Sequence, residues 1–163
     1  MKVERKTLAK LLVVVFVVNL VVMGVGAWYS SENAPPIPKQ VVGPDDETVV
    51  TAGQVQAGKR AFQSNGMMNH GSILGNGAYY GVDYTADTLD LKTKYMRQYY
   101  AREQYDAAYG DLASPEQAAV DQRVTEDLES GTVGQTVRYS AAEVYAHEQV
   151  REEYVDRYHE GSH

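Results

Sequence analysis

Residues 57–87 read AGKRAFQSNGMMNHGSILGNGAYYGVDYTAD. From residue 66 onward this stretch carries Gly66, Gly71, Gly75, Gly77 and Gly81 and has no helical period. Glycine at that density implies tight turns and close backbone approach. Met67, Met68, Ile73, Leu74 and the tyrosines make it too apolar for a free linker. The segment reads as an ordered loop that packs against something. The flanks read as helix. Val55, Ala57, Ala61 and Phe62 form the apolar side of a helix from about Gly53 to Asn65, which Gly58 weakens. Downstream, Tyr95, Met96, Tyr99 and Tyr100 form the aromatic face of a second helix, expected over about residues 86–109, with Gly110 as its C′ residue.

Two more helices follow. Ser114–Pro115–Glu116–Gln117 is a helix start, with Ser as N-cap, Pro at N1 and Gln reaching back from N3. Val120, Val124 and Leu128 then recur every four residues. Gly131 to Tyr139 suits a short strand or turn. Ser140 to Glu143 is another capping box, and Val144, His147, Val150 or Arg151, Tyr154 and Tyr158 stripe the last helix. The outer domain is therefore mainly α, with a Gly-rich loop between its first two helices.

Upstream, residues 11–27 carry no charge, and the run from Leu8 to Trp28 is long enough to cross a hydrocarbon core of about 30 Å. Lys10 can snorkel to the headgroups, and Trp28 and Tyr29 suit an interfacial belt. The basic flank places the N-terminus in the cytoplasm and the rest outside the cell membrane. A cleaved signal peptide, cut after the small residues Val25 and Ala27, is the rival reading; the long apolar run and its aromatic end favour a retained anchor. Asn19, mid-span, bonds either its own helix backbone or another membrane helix. Pro35, Pro36, Pro38 and Pro44 favour extended chain. The expected organisation is a cytoplasmic tail (1–7), a transmembrane helix (8–29), a Pro-rich stalk (30–51) and an extracytoplasmic domain (52–163).

The whole chain has 15 basic and 22 acidic side chains. Four basic groups and one acid fall in residues 1–28, so residues 29–163 hold 11 basic and 21 acidic groups, a net −10. Such a domain repels phosphate backbones and is no nucleic-acid partner. The absence of cysteine excludes disulfides, Cys-ligated zinc, iron–sulfur clusters, thiol catalysis and covalent haem c. His147, His159 and His163 match no zinc-protease spacing and read as surface or packing residues. The glycines Gly75 and Gly77 neither follow a strand nor open a βαβ unit, so they bind no dinucleotide. Residue by residue, nothing amounts to a self-sufficient catalytic set.

Residues 57–87 resemble the N-terminal extracytoplasmic region of quinol-dependent nitric oxide reductases. That family reads roughly AGQ-x-x-[WF]-Q, then M-x-x-GS-x-x-GHGAY, then PD-x-TAD-x-LHR. The Pro-rich PPxPxxVV (Pro35, Pro36, Pro38, Val41, Val42), SPEQ, and a closing Tyr158–His159–x–Gly161 follow the family order too. The stretch is also similar to the small cytochrome c subunit of two-subunit nitric oxide reductases. There Cys-x-x-Cys-His precedes Gly-Glu-Gly-Ala-Tyr, and the matching pentad here is Gly66–Met67–Met68–Asn69–His70. With both thiols gone, the resemblance implies a haem-free cytochrome c-like fold in which Met67 and Met68 fill the porphyrin's space.

The resemblance further implies a non-catalytic, membrane-anchored subunit or fragment, inactive alone. It would dock on the outer face of a membrane-embedded catalytic subunit that holds haem b and non-haem iron and reduces two NO to N2O with quinol electrons. No cofactor is expected to be covalently bound. A calcium shared with the partner would be reached by Gly77 and Tyr79. The expected interface comprises His70, Asn76, Tyr79, Tyr80, Asp83, Tyr95 and Tyr99. Asn76, Val82, Asp90 and Leu91 depart from the family pattern, which puts in doubt any proton or quinol role at those positions. The competing reading is a free-standing, membrane-tethered module that binds calcium or a small ligand.

Overall fold

The computed structural model describes residues 5–33, 37–77, 81–130, 132–133 and 135–159; at 76–77, 130, 132–133 and 159 it describes backbone alone. The chain divides into two compact units, Met1–Pro36 and Ile37–His163.

The first unit is one helix, α1 (Arg5–Glu32), apolar enough to span a membrane. Its 28 residues are about 42 Å long at 1.5 Å per residue. Asn19 Nδ2 donates to the Val15 carbonyl at 2.8 Å, so its amide is satisfied within its own helix. The helix runs three residues past the expected end at Tyr29.

The second unit opens with strands where a stalk was expected. β1 (Gln40–Val42) and β2 (Thr48–Thr51) pair antiparallel, and β1 pairs in parallel with β7 (Thr136–Arg138). β7 turns back onto β6 (Thr132–Val133), which gives the order β2-β1-β7-β6. Val41 and Val42 are buried, and pairing with β7 satisfies the backbone that a free stalk would leave to water. The compact unit therefore begins at Ile37, upstream of the expected boundary at residue 52.

Thr51 then caps α2 (Ala52–Ser64): its Oγ1 accepts from Gln54 N at 3.2 Å and its own N–H donates to Gln54 Oε1 at 2.8 Å. The Gly-rich segment follows as a one-turn 3-10 helix (Met67–Asn69) and three short strands, β3 (Gly71–Ile73), β4 (Asn76–Gly77) and β5 (Val82–Asp83). Their order is β4-β3-β5.

The core lies among α3 (Tyr84–Tyr105), α4 (Ser114–Ser130) and α5 (Ala141–His159). Met96, Tyr100, Val120, Val124, Ala142 and Ala146 are its buried centre. The aromatic face expected from Tyr95, Met96, Tyr99 and Tyr100 is a packing face: Met96 and Tyr100 are buried in the core, and Tyr95 and Tyr99, expected at an interface, are half-buried against it. α3 packs along α5, so those positions point into the bundle. α3 also ends earlier than expected, at Tyr105. Asp106 takes the left-handed conformation (φ 51°) with its N–H on the Arg102 carbonyl, whereas Gly110 belongs to a separate turn, Tyr109–Asp111. At the start of α4 the residue that reaches back is Glu116, whose Oε2 accepts from Ala113 N at 2.8 Å; Gln117 Nε2 donates instead to the Tyr109 carbonyl. The capping box at Ser140 forms as expected, with Ser140 N on Glu143 Oε2 at 2.9 Å and Glu143 N on Ser140 Oγ at 3.2 Å.

Candidate functional site

The Gly-rich segment is organised by one side chain. Asp83 Oδ2 accepts from Ser72 Oγ at 2.7 Å and from Gly75 N at 2.6 Å. Its Oδ1 accepts from the N–H groups of Thr85 and Ala86, which caps α3. The hydrogen bonds from Ser72, Ala86 and Gly75 hold the Asp83 carboxyl down at about 2. Thr85 Oγ1 also accepts from Leu74 N at 3.0 Å. The β3–β4 turn is thereby clamped to the helix start.

That turn is strained. Leu74 and Gly75 both have positive φ, 54° and 71°, the mirror-image geometry of a two-residue hairpin. Glycine suits its position; Leu74 does not, and the residue is 59% exposed. Two other glycines are required by close approach. A Cβ at Gly81, where φ is 138°, would overlap the His70 carbonyl oxygen, and one at Gly71 would lie 2.7 Å from the Val82 oxygen and overlap the Tyr84 ring. Tyr84 seals the base of the loop, edge-on to Phe62 at 5.8 Å and 6.4 Å from the Tyr158 ring.

The expected site residues are placed unequally. His70 is exposed at the end of the 3-10 turn, and Met67 is half-buried while Met68 is 45% exposed. Neither methionine fills an interior space, so the expected infill is corrected: the 3-10 turn packs on α2 and β3 at the surface. Asn76 and Gly77 form β4, opposite Ile73 and Ser72. Tyr79 and Tyr80 lie outside the described residues. Asp83 is half-buried, with both oxygens engaged as described. Tyr95 donates to Glu153 Oε2 at 2.6 Å, a bond that with burial raises its phenol to about 12. Tyr99 packs against the Tyr100 and Tyr145 rings and also lines a shallow groove with Arg102. These two tyrosines serve the bundle. Ser72, Thr85 and Tyr84 were missed, although Asp83–x–Thr85 ahead of a helix is a legible N-cap signal.

Residues 38–163 match the family described as the cytochrome c-like domain of the nitric oxide reductase protein NorB. The chain belongs to that family. No curated protein sequence matches it. The fold class expected from sequence, a mainly helical cytochrome c-like domain with one N-terminal candidate membrane helix, is the one observed. The matched span of this nitric oxide reductase domain contains no cysteine, so it cannot form thioether bonds to haem. His70 is exposed, and no thiol stands beside it to hold a porphyrin covalently. Among the described residues, no three His, Cys, Asp or Glu side chains converge on a point.

Proposed function

We propose that this domain is a non-catalytic, membrane-anchored head of a quinol-dependent nitric oxide reductase. It docks on the outer face of the part that carries haem b and non-haem iron, where two NO, two electrons and two protons give N2O and water. The family match over residues 38–163 supports the association. The observation that carries the docking role is Leu74. An apolar side chain held in strained backbone at a hairpin tip, 59% exposed, loses on both counts in water. Ile73 and Val82, on the flanking strands, are 38% and 50% exposed. Cover by a protein partner accounts for all three. The basic residues Arg5, Lys6 and Lys10 support an orientation with the N-terminus in the cytoplasm and the domain outside. A calcium at Gly77 and Tyr79 would need the partner for its remaining ligands, because both oxygens of nearby Asp83 are already engaged.

The test is Leu74→Asp in native membranes. We expect the reductase to co-purify at less than about a tenth of the normal yield, with unchanged melting of this domain. Normal co-purification and normal NO turnover would remove the docking role.

A further inference from the structure

The outer domain is strongly acidic, yet one of its concavities is basic. It lies between α3 and the Tyr109–Asp111 turn, has a volume of about 280 Å³, and is lined by Lys94, Arg97, Gln98 and Arg102 with the Ala108–Gly110 chain as its far wall. Among the described residues, no carboxylate is part of the lining. Lys94 and Arg102 form no ion pair among the described residues.

Arg97 is set in place from behind. Its Nε donates to Asp121 Oδ1 at 2.7 Å, and its guanidinium lies 5.6 Å from the centre of the Tyr109 ring. Tyr109 OH holds the same carboxylate, 3.0 Å from each oxygen. Only one of the five guanidinium N–H groups is used by this contact, which leaves the planar end for a ligand. A fixed guanidinium with two flexible cations and an amide beside it is a donor set for a tetrahedral oxyanion. The volume suits a small anion rather than a peptide or a drug-sized molecule.

We propose that this concavity binds a small oxyanion of the phosphate class through Lys94, Arg97 and Arg102. The site stands apart from the Asp83 loop and does not rest on the docking role. Free phosphate and a phospholipid headgroup offer the same chemistry.

The experiment is calorimetric titration of the full chain, in neutral detergent, with inorganic phosphate against chloride at matched ionic strength. We expect saturable one-site binding of phosphate only. Lys94→Gln with Arg102→Gln should weaken it at least about tenfold, because each charge-assisted contact is strong. Lys59→Gln with Arg60→Gln, on α2, removes the same charge elsewhere and should leave it unchanged. Circular dichroism of each variant checks folding. If the first pair does not fold, Arg102→Gln alone is titrated, with severalfold weakening expected. Dihexanoyl-phosphatidylglycerol below its micelle concentration separates the sources: competition with phosphate assigns a lipid headgroup, and no competition assigns a free oxyanion. Binding that chloride reproduces, or that both variant pairs weaken equally, overturns the proposal.

Discussion

Asp83 accepts a hydrogen bond from the backbone N–H of Gly75 at 2.6 Å while its other oxygen caps the helix that begins one residue later. One carboxylate thus joins a hairpin turn to a helix N-terminus. Turn and helix would otherwise settle independently, and the hairpin tip would lose its fixed direction.

Protonation should therefore loosen this joint. The Asp83 carboxyl titrates at about 2 in the fold and near 3.8 when unperturbed, so its folded value is depressed. Its contribution is fully present above the unfolded value and is lost as pH falls from about 4 through about 2. Asp83→Asn replaces one acceptor oxygen by a donor and removes that contribution at every pH. Urea unfolding of wild type and variant should differ most at about pH 6 and converge by about pH 2. A constant difference across that range would mean that the carboxylate's charge is irrelevant.

Two glycine substitutions should act in opposite directions. Gly81→Ala forces a Cβ onto the His70 carbonyl at a φ of 138° and should cost roughly 1–3 kcal/mol. Gly58 sits inside α2 with open space around its Cβ position. Gly58→Ala should stabilise by about 0.5–1 kcal/mol, through helix propensity alone. Thermal melts of the two variants would decide it, and a shift in the same direction for both would refute the reading of the loop.

How much of this was legible follows from the range of each interaction. Ser140 and Glu143 satisfy one another locally, so their capping box could be read directly. The membrane helix needs only composition and length. Val41 and Val42 could not be read as strand, because their partner β7 is almost a hundred residues away and nothing in PPIPKQVV names it. The tyrosine stripe on α3 gave the right spacing but did not name its neighbour. Periodicity reveals that Met96 and Tyr100 share a face, but not whether α5 or another protein covers it. At the candidate site, the density of glycine marked an ordered loop, whereas the clamp between Asp83 and Ser72 spans eleven residues and appears only in three dimensions.

The aromatic face also carries a polar test. Tyr100 is buried, its OH donates to Asp127 Oδ2, and Ser140 Oγ donates to the same oxygen at 2.6 Å. Burial and Asp127 together raise the Tyr100 phenol. Tyr100→Phe keeps the ring and removes one donor from a part-buried carboxylate, so it should destabilise by about 1–2 kcal/mol. Tyr99→Phe has no such bond to lose among the described residues and should be near neutral. Equal effects in guanidinium unfolding would mean that the hydroxyl of Tyr100 adds nothing beyond the ring.

Among the described ion pairs, the most buried is Lys92 with Glu143. The Glu143 side chain is 5% exposed; its Oε1 accepts from Lys92 Nζ at 2.7 Å, and the ammonium also lies 4.0 Å from the centre of the Tyr139 ring. Among the described residues, Lys92→Met leaves the buried carboxylate with only the Ser140 N–H, and removing one partner of a buried pair typically costs about 3–5 kcal/mol. Adding Glu143→Gln removes the stranded charge while its amide oxygen can still accept from Ser140. The double variant should therefore be more stable than Lys92→Met alone, although it has lost one more native group. Chemical unfolding of the three proteins measures the order. If the double variant is the least stable, the cost lies in lost packing against Tyr139 rather than in an uncompensated charge.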